Sequence, residues 1–267
     1  MHKVPFTKAS ACGNDFIIAH APDRADLSAL SRALCGRHNG VGADGVEWIV
    51  PNGGSDLRVR LFNSDGSEAE VSGNGTRCVA AWYCAEHNKL TGSAVAIQTL
   101  AGVKRCTLRA RDDMRFEFEM QMGEPQPGDA LSIKLAFGEV SGIPVSMGNP
   151  HYVIFVDDFL PGWQAEAAEI GKHHDFKHGT NVEFVKVIAP GEIEIRIFER
   201  GVGETQSSGT GSCASAVAAV HTGRVKSPVV VRSPGGPQIV RWEQNDVWLT
   251  GPAVIVCSGE FYADTFE

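Results

Sequence analysis

The chain has 267 residues, 43% of them hydrophobic and 21% charged, which is the composition of a soluble globular protein. This length favours roughly two domains of about 130 residues, each able to bury its own core. A net charge of −8 without any Lys- or Arg-rich run argues against nucleic acid as a partner. We find neither the apolar segment of a signal peptide nor a run of roughly 18 apolar residues that could span a membrane, so we expect a cytoplasmic protein with no membrane association.

The first half of the chain predicts one surface helix among several strands. The stretch ADLSALSRALCGRH (25–38) has helical periodicity, with an Asp to open the helix and a Gly to close it. Alternating apolar residues predict strands in GVEWIV (45–50) and LRVRLF (57–62). A meander of strands is predicted over residues 95–120.

The second half repeats this pattern after a stretch rich in Pro and Gly, GEPQPGDA (123–130), which is the predicted linker. Strands are predicted in HYVIFVDD (151–158), VEFVKVI (182–188) and EIEIRIFER (192–200), and a helix around WQAEAAEIGKHH (163–174). We therefore expect two domains.

The predicted domain boundaries divide the chain near its middle. An N-terminal lobe is expected over residues 1–118 and a C-terminal lobe over 119–253. The tail from about 254 to 267 is the segment expected to return to the N-terminal lobe.

One short motif occurs twice, as VSGNGTRCVA (71–80) and SSGTGSCASA (207–216). Equivalent residues are 136 positions apart: Phe62 and Phe198, Glu68 and Glu204, Ser72 and Ser208, Gly73 and Gly209, Gly75 and Gly211. Both copies continue into small and apolar residues typical of a buried helix. Two similar lobes, each with a strand, a loop, Ser-Gly-x-Gly and a helix, are the simplest explanation.

A glycine-rich loop that enters a helix is suited to binding an anion, because its backbone N–H groups are unpaired and the helix dipole adds positive charge. Two such loops could hold one small carboxylate ligand. A proton-handling group from each loop could then remove a proton from a carbon atom and return one from behind, which is what inversion of that carbon requires.

Five motifs in order resemble the diaminopimelate epimerase family. They are ACGNDF (11–16), FNSDGSEAEVSGNGTRC (62–78), GNPH (148–151), GTNVEF (179–184) and ERGVGETQSSGTGSC (199–213). The resemblance implies an α/β (α+β) fold with two pseudo-symmetric lobes, each a mixed or antiparallel sheet wrapped around a central helix, and an active site between the lobes. It also implies a homodimer.

The resemblance further implies inversion of one α-carbon of diaminopimelate, from the LL to the meso form, in lysine and peptidoglycan precursor synthesis. No pyridoxal phosphate, other cofactor or metal is implied, and the partner is a small amino-acid substrate. The acid/base positions are occupied by Ser72 and Ser208, with His151 and Glu199 beside them. The implied substrate contacts are Asn14, Asn63, Gly73, Asn74, Asn149, Asn181, Glu199, Arg200, Gly209 and Thr210.

Ser72 and Ser208 depart from the family pattern, which has a cysteine at both positions. A hydroxyl is a far weaker acid than a thiol, whose pKa of about 8.5 a helix N-terminus lowers further. Three interpretations stay open. In the first, both cysteines were deliberately replaced. In the second, the chain is a natural serine-type relative: either His151 and Glu199 activate the hydroxyls, or the chain acts on another amino acid as a racemase or isomerase. In the third, the chain binds an amino acid without catalysis.

Other features of the sequence favour ordinary structural roles. Seven scattered cysteines without a CxxC pair predict reduced, mostly buried thiols, and Cys78 and Cys213 are expected in the helix cores. The stretch GVGADG (40–45) matches a dinucleotide fingerprint, but a helix precedes it and a strand follows, the reverse of the required order. His173, His174 and His178 are expected to form a surface cluster rather than a metal site.

Overall fold

The computed structural model describes residues 3–52, 54–136 and 138–263. They form two compact units, one of residues up to Met120 together with those from Gly251 onward, the other of Gln121–Thr250. Residues 264–267, the end of the tail expected to return to the N-terminal lobe, lie outside the described part.

The chain up to the first unit boundary contains two helices and eight strands. The elements are β1 Lys3–Ala11, β2 Asn14–His20, α1 Leu27–Cys35, β3 Gly45–Val50, β4 Leu57–Asn63, β5 Glu68–Ala69, α2 Gly73–Glu86, β6 Ala94–Thr99, β7 Gly102–Asp112 and β8 Arg115–Gly123.

The remaining described residues also contain two helices. The elements are β9 Gln126–Pro127, β10 Leu131–Leu135, β11 Gly138–Ser146, β12 Pro150–Phe155, α3 Trp163–Ile170, β13 Asn181–Ala189, β14 Glu192–Glu199, β15 Gly203–Thr205, α4 Gly209–His221, β16 Val229–Ser233, β17 Gly236–Glu243 and β18 Asp246–Tyr262. The unit boundaries fall within β8 and β18.

The two units have the same strand order. In the first, β2 and β3 pair in parallel across α1, β3 and β4 pair antiparallel, and β4 and β6 pair in parallel across α2. In the second, β12 and β13 pair in parallel across α3, β13 and β14 antiparallel, and β14 and β16 in parallel across α4. The repeat inferred from the sequence is therefore a repeat of topology.

Helices α2 and α4 are central helices, each packed against strands of its own unit. Residues 74–81 of α2 and 211–219 of α4 are buried without interruption. A helix that is buried on all sides needs small apolar residues rather than an amphipathic stripe, and both sequences have this composition. The predicted sheet wrapped around a central helix is confirmed in each unit.

The strands next to the central helices are covered on both faces. In β3, Val46 and Trp48 pack in the cluster that contains Leu34 of α1. In β13, Val182 and Phe184 pack with Trp163 of α3. Because side chains alternate along a strand, the residue between each pair faces away from α1 or α3.

Most predicted elements have the expected type. Helix α1 begins after Asp26, whose side chain accepts a hydrogen bond from the Ala29 amide at 3.1 Å, and it ends at Gly36. Helix α3 is shorter than predicted, because it ends at Ile170 and leaves His173 and His174 in a turn. Among the described residues, no helix is both long and apolar enough to cross a membrane.

Candidate functional site

Ser72 and Ser208 occupy the same structural position, the N-cap of a central helix. The Ser72 hydroxyl accepts a hydrogen bond from the Gly75 amide at 3.1 Å, and the Ser208 hydroxyl accepts one from the Gly211 amide at 3.2 Å. Both backbones are extended, with φ of −125° and −140°. Each Ser-Gly-x-Gly motif is thus a capped helix start with backbone amides in its first turn.

In the first unit, two predicted contact residues lie together beside Ser72. The side chain of Asn74 donates to Asn14 Oδ1 at 2.7 Å, and Asn14 Nδ2 donates to Asp44 Oδ2 at 3.0 Å. The buried guanidinium of Arg77 donates to Asn74 Oδ1 and to the Pro252 carbonyl. These bonds hold both amides in one orientation at the start of α2.

Asn63 and Gly73 have other surroundings. Asn63 is exposed at the end of β4, where its side chain donates to Ser67 Oγ at 3.0 Å and closes a turn. Gly73 is the first residue of α2, and a Cβ added there would have open space within 4 Å. The backbone of Gly73 is therefore accessible to a ligand.

In the second unit, a chain of hydrogen bonds connects His151 to the start of α4. Asn149 Nδ2 is 3.4 Å from Thr210 Oγ1, and Asn149 Oδ1 is 3.1 Å from His151 Nε2. On the other side of the ring, His151 Nδ1 is 2.7 Å from Glu183 Oε1. Because Asn149 Oδ1 accepts from Nε2–H, the contact between Nδ1 and Glu183 holds one further proton.

Burial of this pair affects the pKa of Glu183. The side chains of His151 and Glu183 are 1% and 0% exposed. Burial raises the pKa of Glu183, whereas the neighbouring imidazole lowers it. The effect of burial is the larger of the two, so the pKa of Glu183 lies above its ordinary value.

Asn181, Glu199 and Arg200 lie next to this group at the ends of β13 and β14. Asn181 donates to the Pro150 carbonyl at 2.9 Å and accepts from the Arg200 amide at 3.0 Å, so it positions the turn that carries Arg200. Strand β14 ends at Glu199, and Gly201 has φ of +81°, so Glu199 and Arg200 are not held on opposite faces of a continuing strand. Burial raises the pKa of Glu199.

Two buried carboxyl groups beside the serines, Glu47 and Glu183, are absent from the predicted catalytic and contact residues. They are 136 residues apart, in Val46-Glu47-Trp48 of β3 and Val182-Glu183-Phe184 of β13. Burial raises the pKa of Glu47 to about 8. The sequence does contain one signal for these two residues, which is a Glu at the same position of both repeats. In the structure, each lies in a strand covered on both faces.

The glycine three residues after each serine makes room for these carboxyl groups. A Cβ on Gly211 would lie 2.8 Å from Glu183 Oε1 and 3.1 Å from Ser208 Cβ, and a Cβ on Gly75 would overlap Glu47 Oε1. We expect Gly75→Ala to lower the free energy of unfolding by about 1–3 kcal/mol, because Glu47 is buried and must shift. Urea unfolding checks this.

Gly73→Ala is the matched control for that measurement. It lies two residues earlier in α2, where an added Cβ meets nothing within 4 Å, and alanine is the better helix former. Its stability is expected to stay the same or rise slightly. Equal losses in both variants would show that the Glu47 carboxyl does not restrict residue 75.

The remaining sequence features have structural surroundings. Six of the seven cysteines are buried and Cys257 is exposed, as expected. Burial raises the pKa of Cys78 far above its ordinary value. The GVGADG stretch turns from α1 into β3, with the Gly42 amide donating to the Leu34 carbonyl at 3.0 Å. Its Asp44 bonds Asn14, so the stretch supports the first unit's site.

His173, His174 and Asp175 form the one group of three metal-ligating residues found within the described residues. His174 and Asp175 are exposed, and His173 Nε2 is 3.1 Å from the Lys134 carbonyl. The expected surface cluster is therefore connected to strand β10 through the ring of His173.

A two-unit fold in which each sheet encloses a central helix defines a structural class with other solved members. The structure matches a hydroxyproline epimerase from Agrobacterium vitis with bound trans-4-hydroxy-L-proline, with a TM-score of 0.73 at 16% identity over 97% of this chain and 92% of that chain. It matches a PhzF-family phenazine biosynthesis protein from Bacillus anthracis with a TM-score of 0.73 at 15% identity, over 97% and 99% of the two chains. These likenesses establish the fold.

Sequence comparison identifies the family within this class. The sequence model of the diaminopimelate epimerase family matches residues 6–127 and 143–256. The chain is 40% identical over 277 residues to the diaminopimelate epimerase of Desulforudis audaxviator, covering 96% of this chain and 98% of the relative. The chain belongs to the diaminopimelate epimerase family, and the resemblance inferred from its five motifs is confirmed.

Proposed function

We propose that this chain is an epimerase that inverts one α-carbon of diaminopimelate between the LL and meso forms, in lysine and peptidoglycan precursor synthesis, without pyridoxal phosphate or a metal. One observation supports this most directly. Each unit has a serine at the start of its central helix with a buried carboxyl group beside it. Inversion by two groups requires two such proton-handling positions.

The charges of the substrate fit the groups available in each unit. In the first, the amides of Asn14 and Asn74 and the open backbone at Gly73 offer donors to a carboxylate and acceptors to an ammonium group. In the second, the guanidinium of Arg200 can pair with a carboxylate, while the amides at Gly209 can stabilise the enolate-like charge of the deprotonated substrate. The other proposed contacts are Asn63, Asn149, Asn181, Glu199 and Thr210.

Ser72 and Ser208 are the proposed acid/base positions. Two features of their surroundings support a hydroxyl as the acid or base. Each oxygen accepts a backbone N–H bond, which stabilises negative charge on it. Asn149 links the start of α4 to His151, whose Nδ1 is 2.7 Å from Glu183 Oε1. This group therefore places an imidazole and a carboxyl group near Ser208 as candidates for proton transfer.

We expect the unchanged chain to exchange the α-proton of both LL- and meso-diaminopimelate for deuterium, and to interconvert the two forms. NMR in D2O follows both processes. EDTA, and hydroxylamine as a trap for pyridoxal phosphate, should leave the rates unchanged. If neither form exchanges while a panel of other amino acids does, the substrate assignment is wrong and the chain is a racemase or isomerase of another amino acid.

One observation favours a different class, a protein that binds an amino acid without catalysis. Both serine hydroxyls already act as helix caps, a role that needs no chemistry. Calorimetric binding of diaminopimelate without any exchange of its α-proton would support that alternative.

We also propose a cytoplasmic homodimer, on the strength of the family resemblance. Sedimentation of the purified chain at micromolar concentration tests the assembly. A monomer mass throughout the concentration range would contradict it.

A further inference from the structure

Glu47 and Glu183 are equivalent residues of the internal repeat. In the antiparallel pairs β3–β4 and β13–β14, Glu47 lies opposite Leu61 and Glu183 lies opposite Ile197. Both residues of the second pair are 136 positions after their equivalents in the first. Both carboxyl groups are buried, at 2% and 0% exposure. The repeat therefore places one carboxyl group at the same position against each central helix.

Each carboxyl group lies beside the serine of its own unit. The space around Gly75 is shared by Glu47 Oε1 and the side chain of Ser72, whose Cβ would be 3.2 Å from an added Cβ. The space around Gly211 is shared in the same way by Glu183 Oε1 and Ser208 Oγ, at 2.8 and 3.3 Å. In both units, a carboxyl oxygen and the serine side chain thus lie against the same glycine.

The two carboxyl groups differ in their second partner. Glu183 bonds His151, but the residue at the equivalent repeat position is Asp15, which is held by Lys8 and Arg37. Among the described residues, Oε2 of Glu47 and Oε2 of Glu183 both lack a hydrogen-bond partner, but only Glu183 has a hydrogen bond at its Oε1, to His151. An unpartnered buried carboxyl group destabilises a folded protein, so its presence beside the Ser72 cap calls for a functional explanation.

We propose that Glu47 is the proton-holding group of the first unit and exchanges a proton with Ser72, as the Glu183–His151 pair does with Ser208. This inference rests on the proposed epimerase function and assigns a residue to the proton transfer on the Ser72 side of the inversion. Burial raises the pKa of Glu47 to about 8, so both of its protonation states are populated near neutral pH.

The proposed step is a proton relay. When the α-carbon–hydrogen bond breaks, its electron pair stays on carbon and spreads into the substrate carboxylate. Ser72 Oγ receives the α-proton and passes its own hydroxyl proton to the ionised Glu47. The second unit then delivers a proton to the carbon, and the reverse reaction runs the same transfers backwards.

The test compares the unchanged chain with Glu47→Gln, which keeps the shape but cannot hold the proton. We expect inversion to slow at least about 100-fold in both directions, in kcat rather than in KM. Exchange of the α-proton without inversion should survive for one substrate configuration, the one served by Ser208, and disappear for the other. Glu183→Gln should show the opposite preference.

Two further variants separate this role from a structural one. Glu47→Asp keeps a titratable group and should recover at least about tenfold of the inversion rate lost in Glu47→Gln. Glu119→Gln removes another mostly buried carboxyl of the first unit, one paired with Arg109, and should stay within about twofold of the unchanged chain. A structural role would lower exchange equally for both configurations, and that result would overturn the proposal.

The outcomes also separate this proposal from the function on which it rests. If the unchanged chain inverts diaminopimelate and Glu47→Gln inverts it equally fast, only the role of Glu47 fails. If the unchanged chain neither exchanges nor inverts either form, the proposed function fails and the role of Glu47 fails with it.

Discussion

The double variant Ser72→Cys/Ser208→Cys is expected to invert diaminopimelate about 10²- to 10⁴-fold faster than the unchanged chain, the usual contribution of a well-matched general acid or base. Both positions begin a helix, and the amides of Gly75 and Gly211 point at the side-chain oxygens at 3.1 and 3.2 Å. The same amides and the helix dipole would stabilise a thiolate and lower its pKa towards neutrality.

The measurement is the rate of inversion from pure LL-diaminopimelate, followed by NMR in D2O. Each single cysteine variant should accelerate exchange for one substrate configuration more than it accelerates inversion, because the other unit still has a hydroxyl. Cys78→Ser is the control, since that thiol is fully buried in α2 and should leave the rate unchanged. Equal rates in the double variant and the unchanged chain would place both serines outside the reaction.

The second large effect concerns stability and pH. Burial raises the pKa of Glu47 from 4.5 to about 8 in the folded chain. Between these values the folded state keeps a proton that the unfolded state has released, so rising pH favours unfolding, and the effect ends above about pH 8. The loss from this one group over that whole range is on the order of 5 kcal/mol. Glu47→Gln should therefore lose less stability than the unchanged chain between pH 5 and 8.

Urea unfolding at pH 5 and pH 8 measures this difference directly. Glu183 and Glu199 also have raised pKa values because of burial, and they contribute the same slope to both proteins. Glu68→Gln is the control, because a hydrogen bond from Arg60 lowers the pKa of Glu68 and confines its effect to pH values below about 4.5. A gap between the unchanged chain and Glu47→Gln that is the same at both pH values would show that Glu47 is ionised in the fold.

Much of the fold could be predicted because its signals are local or repeated. The period of apolar residues predicted α1 and most strands, and the 136-residue offset predicted two units of one topology. Helix α3 was predicted too long, since periodicity continues through Lys172 and His173 although the chain turns after Gly171. Hydrogen bonds of that turn, including Phe176 amide to His173 carbonyl at 3.0 Å, replace helical ones there.

The candidate site could be predicted only in part, and its residue roles remain predictions until activity is measured. Motif resemblance pointed to His151, but not to the buried Glu183 that it contacts. Val46, Glu47 and Trp48 alternate between apolar and polar side chains. In a strand with only one face covered, this pattern predicts that the Glu47 side chain is exposed to solvent. The burial of Glu47 depends on α2 covering the second face, which no pattern within β3 reveals.

The sequence by itself determined the features that depend on neighbouring residues. Ser72 and Ser208 cap their helices because each hydroxyl accepts a hydrogen bond from the amide three residues later. The small residues that follow allow the sheet to enclose each helix. Only the tertiary structure decided which groups surround these caps, because His151 and Glu183 meet across two strands and Glu47 reaches α2 through the packing of β3. Burial by distant segments sets the pKa of such groups, and local sequence does not encode it.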